Sequence, residues 1–316
     1  MKPMYFLSIA LTAYGLACCD APALTPDVQD GNPRHARQPA GARAEASNLI
    51  TVPGGTYAIG RDDGPASQRP RHRVRLDTFH VDRTEVTNAD FATFLNSLGL
   101  PVRGSFGQGM IGAQNADAQT LELLNTPYAD RARPSMIELD DNEAEIVLVE
   151  GHFVPLAGRA AHPVTEVTWH GARAFCAWRG GALPTEAQWE AAARGQDDRL
   201  FPWGNEAPDR SRVVRGGSIG STEPVGSRPA AASPHGALDM AGSLAEWTSS
   251  LKRPYPYRAD DGREDPDNSG ERTTRGGDYE YDRAAINYST SFRDGFSNDP
   301  AHGHRHVGFR CAYAAQ

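Results

Sequence analysis

Cysteine is scarce in this chain of 316 residues and is missing from most of its C-terminal half. The four cysteines are Cys18, Cys19, Cys176 and Cys311, and none lies between the last two. A thiolate is the soft ligand that binds copper and the group that exchanges with a substrate thiol. Such chemistry is therefore excluded for every side chain from residue 177 to residue 310.

The chain also lacks a long apolar run, a dominant charge sign and an internal repeat. Its N-terminal apolar stretch, Tyr5–Ala17, is too short to span a bilayer, and no other segment is longer or more apolar. The net charge of −8 comes from 40 acidic and 32 basic residues. No nucleic-acid partner is expected, and the only membrane contact expected is through a lipid anchor.

Residues 1–19 are typical of a lipoprotein-type signal peptide, because a basic residue and an apolar stretch end at paired cysteines. Cys19 has leucine three residues before it but Cys18 directly before it. Cys18 follows alanine but has Gly15 in the third place. We predict lipidation of Cys19 or Cys18, with an ordinary cleaved signal peptide as the alternative. Either way the protein is expected to be exported, to a bacterial cell envelope or beyond it as a secreted protein.

The rest of the chain divides into a tether and a domain. Residues 20–47 are rich in Pro, Ala, Arg and Gly without apolar periodicity, which predicts a disordered tether. Residues 48–316 are predicted to form one mixed domain. The whole chain has 39% hydrophobic residues, 32 glycines and 23 prolines, which favour a sizeable core with many loops and short strands.

Short helices and strands are indicated by apolar spacing and by capping residues. The predicted helices span Asn88–Leu98, His170–Arg179 and Thr185–Arg194. The third begins with a capping-box pattern, in which Thr185 is followed three residues later by Gln188. Strands are predicted at Val74–Leu76 and Ile146–Val149. Residues 99–161 resemble an insertion and include an acidic turn at 140–143.

A series of short motifs runs from Val52 to Ala312. In chain order they are Val52–Tyr57, Val81–Phe91, His162–Val164, Val167–Trp169, Leu183–Gly195, Pro202–Asn205, Asp239–Thr248, Arg275–Gly277 and Gly308–Cys311. Together they resemble the formylglycine-generating enzyme (sulfatase-modifying factor) family. The resemblance implies an α+β fold, a variant of the C-type lectin fold with short helices, short strands and much irregular structure.

The resemblance also implies a disulfide and a calcium site. Cys176 and Cys311 match positions that form a structural disulfide in the family, and export favours joining them, with two buried thiols as the alternative. The segment 239–246 resembles the family's calcium loop. Carboxylates and main-chain carbonyls suit Ca²⁺. One structural calcium is therefore expected, with the implied ligands Asp239, Gly242, Leu244 and Glu246.

The family's activity is not expected here. Its enzymes oxidise a sulfatase cysteine with a cysteine pair that stands roughly four and nine residues after the motif Arg275–Gly277, where this chain has no cysteine. No catalytic residue is assigned. The alternative is a metal-dependent oxidase, of nonheme iron or copper and unknown substrate, that uses His302 and His304 with Asp278 or Asp282. An extended 301–307 would place His302, His304 and His306 on one face.

The leading hypothesis is a ligand-binding or accessory module with an unknown ligand or protein partner. The segment 278–306 is dense in aromatic and small polar residues, which is typical of recognition surfaces. Some relatives with this fold are surface lipoproteins diversified by retroelements just before the closing Gly-Phe-Arg motif. The predicted ligand contacts are Tyr279, Tyr281, Asn287, Tyr288, Phe292, Phe296, His302, His304 and His306.

Overall fold

The computed structural model describes residues 48–99, 136–139, 141–214, 221–281, 284–293 and 298–315. The chain divides into two units, Met1–Ala36 and Arg37–Gln316, and the described residues all belong to the second. The predicted signal peptide, tether and lipidation cysteines lie outside the described residues. Within the described ranges no helix has the length and apolar character needed to cross a membrane.

The strands are short and form small sheets of two or three strands. Their bounds are β1 Leu49–Val52, β2 Gly55–Ile59, β3 His72–Leu76, β4 Phe79–Asp82, β5 Ile146–Val149, β6 His152–Pro155, β7 Ala245–Leu251, β8 Arg272–Arg275, β9 Val307–Gly308 and β10 Ala312–Ala314. Strand β4 lies between β1 and β10, with Val81 opposite both Ile50 and Ala312. The two ends of the described domain therefore meet in one sheet. The predicted strands fall within β3 and β5.

A second three-stranded sheet fixes the C-terminal segment. Strand β7 lies between β8 and β9, antiparallel to β8 and parallel to β9. Glu246 of β7 is opposite Arg275 on one side and Gly308 on the other. The segment 276–306 thus leaves this sheet at one edge strand and returns to it at the other. Both of its ends are held by the same central strand.

The three predicted helices are present, each within one residue of the predicted bounds. They are α1 Asn88–Ser97, α2 Trp169–Trp178 and α3 Glu186–Arg194. Each follows a threonine N-cap whose side chain accepts a backbone hydrogen bond from the first turn. In α3 the capping box closes reciprocally, because the Gln188 side chain also accepts from the Thr185 backbone N–H.

The core consists of two main apolar clusters. One packs α1 and α2 around Phe91, Phe175 and Phe309, whose rings stack or meet edge to face. The other packs α3 against β1, β2 and β4 around Trp189. A disulfide joins Cys176 of α2 to Cys311, with their Cα atoms 5.4 Å apart. It ties α2 to the chain just after β9.

Candidate functional site

The segment after β8 is anchored by a tight turn. One carboxylate oxygen of Asp278 accepts hydrogen bonds from the backbone N–H groups of Glu280 and Tyr281 at 2.7 and 2.6 Å. The Tyr279 N–H donates to the Ser243 carbonyl at 2.8 Å. These bonds hold Tyr281 at the surface, where it is 45% exposed. Tyr281 stands four residues after Gly277, about where the family resemblance places the first cysteine.

Tyr281 lines a cleft of about 340 Å³, which we call the acidic cleft. Its lining residues come from the segments 138–143 and 281–306 and from the loop before α2. They are Glu138, Asp141, Glu143, Glu166, Tyr281, Gly303, His304, Arg305 and His306. Four of the nine carry carboxylates, one carries a guanidinium and two carry imidazoles, so the lining is strongly polar and predominantly acidic.

The histidine segment is not extended, so the predicted single face is wrong. Backbone hydrogen bonds from His302 to Asp299 and from Val307 to His304 fold it into two turns. His302 lies apart and is bonded through Nδ1 to Glu138 at 3.1 Å. His304 and His306 stack with ring centroids 5.3 Å apart, and the His306 ring meets Tyr281 edge to face at 4.8 Å. The structure therefore brings together two of the three histidines.

These positions differ from what a metal-dependent oxidase requires. Asp278 is 1% exposed and serves as the turn acceptor described above. Asp282 lies outside the described residues. Within the part of the chain that the structure describes, no three side chains of His, Cys, Asp or Glu are arranged to hold one metal ion. The hypothetical His302, His304 and Asp278 set is not assembled.

Several predicted ligand contacts are core residues, and this part of the predicted recognition surface is corrected. Tyr279 packs with Val214 and Leu244, and Tyr288 is fully buried in the cluster that contains Phe201. Phe292 and His306 are also buried, and Asn287 is half-buried. A long segment with little regular structure needs buried aromatic rings to hold it on the domain. Tyr281, His302 and His304 remain accessible, and Phe296 lies outside the described residues.

The electrostatics of the acidic cleft centre on Glu166. Burial raises the pKa of its carboxyl to about 8, and the carboxylates of Asp141, Glu138 and Glu143 add to that rise while Arg305 opposes it. Burial also lowers the pKa of His306 to about 3, with His304 and Arg305 contributing. At neutral pH the buried imidazole is neutral, and the buried carboxyl is protonated in a large fraction of molecules.

The predicted calcium loop is built around two carboxylates. Glu246 is fully buried and accepts two hydrogen bonds from Arg310, at 2.6 and 2.7 Å, and one from the Trp189 indole at 2.8 Å. Asp239 accepts one bond through Oδ2, from the Gly226 N–H at 2.6 Å. The loop turns through positive φ values at Asp239, Gly242 and Ser243, of 57°, 71° and 58°. This tight turn brings both ends of the loop together.

A third carboxylate, Glu85, belongs to the same centre. It is 2% exposed and accepts hydrogen bonds from the Leu244 N–H and the Ser243 hydroxyl, both at 2.9 Å. Burial raises its pKa well above the usual range, and the charges of Asp239 and Glu246 add to this effect. Of these three carboxylates, Glu246 is bonded to the Arg310 guanidinium, and Glu85 and Asp239 experience only its charge. This buried excess of negative charge, with the carbonyls of the loop, fits a divalent cation such as Ca²⁺.

Sequence reasoning missed the acidic wall of the cleft. The acidic turn at 140–143 was read as part of an insertion, and Glu166 stands between two family motifs without any pattern of its own. Density of acidic residues was the one available signal. Glu85 was missed as well, because its role depends on hydrogen bonds to a loop 158 residues away.

Three curated relatives cover much of the chain, and the sulfatase-modifying factor enzyme 1-like domain matches residues 35–315. The formylglycine-generating enzyme of Streptomyces coelicolor is 33% identical over 87% of this chain and 91% of its own length. The inactive C-alpha-formylglycine-generating enzyme 2 of Bos taurus is 30% identical over 85% and 88%. The hercynine oxygenase of Mycolicibacterium smegmatis is 34% identical over 69% of this chain and 49% of its own length.

Two solved structures share the fold at low identity. PvdO from Pseudomonas aeruginosa aligns with a TM-score of 0.56 at 20% identity, over 84% of this chain and 94% of that one. Treponema denticola variable protein 1 aligns with a TM-score of 0.53 at 17% identity, over 84% and 95%. The fold class expected from the sequence, mixed with short helices and short strands, is confirmed.

Proposed function

Because this chain belongs to the sulfatase-modifying factor (formylglycine-generating enzyme) family, we propose that it is an exported, lipid-anchored ligand-binding or accessory module without cysteine-based oxidase chemistry. The observation that carries the proposal is Tyr281, which stands in the acidic cleft at a position of the family's cysteine pair. A phenol replaces neither copper-binding sulfur nor an exchanging thiolate. The volume of the cleft is within the range of small-molecule sites.

Two further observations support this proposal. Ile286, nine residues after Gly277, is half-buried, so the second cysteine position is also occupied by a side chain without redox chemistry. A relative that aligns over most of this chain is named an inactive formylglycine-generating enzyme. The family therefore includes a member with that name, and the fold does not require the activity.

The test is a conversion assay with a peptide that carries a sulfatase-type cysteine motif. The purified protein, copper and oxygen should leave the cysteine unchanged in mass spectra, whereas the Streptomyces coelicolor enzyme serves as the positive control. Aldehyde formation above the level without protein would overturn the proposal, above all if it persisted in a folded Cys176→Ser, Cys311→Ser variant.

Export and anchoring are tested in cells with a radiolabelled fatty acid. The label should enter the wild-type chain and be lost from Cys19→Ala, with Cys18→Ala as the matched variant that identifies the modified residue. A labelled Cys19→Ala and an unlabelled Cys18→Ala would move the anchor to Cys18. Secretion of an unlabelled wild-type protein would remove the anchor from the proposal.

A metal-dependent oxidase is the second candidate, for which the stacked His304 and His306 would supply two imidazole ligands in one cleft. Imidazole and carboxylate are ligands that nonheme iron accepts. Stoichiometric iron or copper in dialysed protein, lost in His304→Ala and retained in His302→Ala, would establish this candidate and replace the binding module. Protein without bound metal that still binds ligand in the cleft would favour the module.

Calcium is proposed as a structural ion at the loop 239–246. Asp239, through its second carboxylate oxygen, and the carbonyls of Gly242 and Leu244 would hold it, with Glu246 as the remaining ligand. Glu85 would position the loop through its bonds to Leu244 and Ser243. A divalent cation there would neutralise the excess carboxylate charge around Arg310.

A further inference from the structure

Glu166 is a buried residue whose carboxyl has no partner among the described residues. It is 2% exposed and lines the acidic cleft, yet its carboxylate makes no hydrogen bond or ion pair within the described residues. Buried polar groups in proteins are normally satisfied by a partner or by solvent. Such a group points to a ligand that completes it.

The backbone holds this carboxyl in place at a cost. Glu166 has φ of 58°, a left-handed conformation that costs a side-chain-bearing residue about 1 to 3 kcal/mol. The backbone N–H of Glu166 donates to the His304 carbonyl at 3.2 Å. The backbone carbonyl of Glu166 accepts from the backbone N–H of Glu138 at 2.9 Å. The Gly303 backbone lies so close that a Cβ on residue 303 would be 2.0 Å from the backbone carbonyl oxygen of Glu166. The left-handed backbone of Glu166 is the strained feature here, and such residues cluster at functional sites.

The charge of the cleft favours a cation. Four carboxylates line it, and its one lysine or arginine side chain in the described part, Arg305, is already paired with Glu143 at 2.9 Å and with Glu280 at 3.1 Å. Glu138 is bonded to His302. Glu166 and Asp141 therefore face the cleft without a cationic partner among the described residues. A bound positive charge would satisfy both.

The geometry favours an organic cation over a metal ion. No three candidate ligand side chains converge in the described part of the chain, and 340 Å³ is the size of a small-molecule site. The Tyr281 ring, 45% exposed and braced edge to face against His306, presents an aromatic surface at the cleft. An ammonium or guanidinium group next to an aromatic face gains a cation–π interaction.

We propose that the acidic cleft binds an organic cation, the ammonium or guanidinium group of a small molecule or of a peptide side chain, with Glu166 as its counter-ion and Tyr281 as its aromatic contact. This inference rests on the proposed binding function, since it names the ligand class of the same cleft. Glu166 is the specificity-determining residue, because it is the most buried carboxylate residue of the cleft lining and has no partner among the described residues.

The pH dependence of binding follows from the environment of Glu166. Its pKa of about 8 means that the carboxyl must lose a proton to act as counter-ion at neutral pH. Asp141, Glu138 and Glu143 face it as negative charges, Arg305 faces it as a positive charge, and His304, whose pKa is lowered, is neutral there. His302 is hydrogen-bonded to Glu138, which is one of the residues that line the cleft. Binding should release a proton, so affinity should rise by up to about tenfold per pH unit below pH 8.

The test is calorimetric titration of the purified protein with n-butylamine and n-butylguanidine. Neutral 1-pentanol and anionic butyrate are the matched probes, and acetylated glycyl-arginyl-glycine amide distinguishes a peptide source. Binding of the cations should weaken at least tenfold in Glu166→Gln and in Tyr281→Ala. Glu150→Gln is the control, because Glu150 also has positive φ, of 50°, but is exposed. Circular dichroism verifies that each variant is folded.

Three results would overturn the inference. If pentanol or butyrate binds as tightly as the cations, and this binding is lost in Tyr281→Ala, the ligand class is refuted and the proposed binding function stands. Unchanged cation affinity in folded Glu166→Gln would refute the role of Glu166. Micromolar Zn²⁺ or Mn²⁺ binding that is lost in Glu166→Gln, without amine binding, would assign the cleft to a metal. Formylglycine formation would instead remove the proposed function itself.

Discussion

Replacing Glu166 with glutamine should stabilise the ligand-free protein, and increasingly so as the pH rises. The folded protein holds the Glu166 proton more tightly than the unfolded chain, because burial raises the pKa from 4.5 to about 8. The unfolded chain therefore binds fewer protons between these two values, and the free energy of unfolding falls as the pH rises through that window. Glutamine has the same shape and carries no charge at any pH.

The size of the effect follows from the pKa values. At 1.36 kcal/mol per pH unit, a pKa raised from 4.5 to about 8 corresponds to about 5 kcal/mol once the pH exceeds 8. The same linkage relation gives about 3 kcal/mol at pH 7 and about 1 kcal/mol at pH 5. Water that enters the cleft screens the charge, so these values are upper limits.

Urea unfolding of wild type and Glu166→Gln at pH 5, 6, 7 and 8 measures this difference. Glu143→Gln is the control, since it removes a carboxylate from the same cleft whose side chain is 51% exposed. The stability gain of Glu166→Gln should grow steadily from pH 5 to pH 8, whereas that of Glu143→Gln should stay within about 0.5 kcal/mol of zero. A gain that is the same at pH 5 and pH 8 would refute the raised pKa of the buried Glu166 carboxyl.

Three further predictions concern the disulfide, the calcium loop and the cleft wall. Reduction of the disulfide should destabilise the domain by about 5 kcal/mol in the chain-entropy treatment, because Cys176 and Cys311 are 135 residues apart. Urea unfolding curves with and without reductant measure this loss, and identical curves would contradict it. Calcium at a hundred times its dissociation constant should add about 3 kcal/mol, seen as a higher melting temperature that Asp239→Ala abolishes. No response to chelator in the wild type would count against the ion. Gly303→Ala should cost about 1 to 3 kcal/mol, because its Cβ meets the Glu166 carbonyl at 2.0 Å; an unchanged urea midpoint would show that the two segments separate freely.

Local features of the fold could be predicted from the sequence. The helices α1 and α3 begin where they were expected because a threonine cap followed three residues later by Asp90 or Gln188 acts within one turn. Such interactions depend only on neighbouring residues. The family motifs extended this local reasoning to the whole domain, since they fix the order of the elements along the chain.

The candidate site could be predicted only in part. Tyr281 and His304 were expected to meet ligand and do line the cleft, but Tyr279 and Tyr288, of the same composition, turned out to be core residues. An irregular segment has no periodicity that separates its buried side chains from its exposed ones. Glu166 was invisible for a related reason, because its burial results from the packing of a distant segment against its backbone.

The charged residues of the family motifs explain why the fold could be inferred with ease and the activity could not. Arg275 bonds Glu190 at 2.6 Å and Glu186 at 3.2 Å, and Arg310 bonds Glu246 at 2.6 Å, with every partner fully buried. Losing one member of such a pair leaves an uncompensated buried charge, which costs about 3 to 5 kcal/mol. These motif residues are therefore required for folding whatever the protein does.

Tyr281 is under no such constraint. The turn at Asp278 holds its backbone, and its side chain is left exposed above the acidic cleft. The same framework can therefore carry, as proposed here, recognition of a cation at a cleft that has no cysteine among its described lining residues.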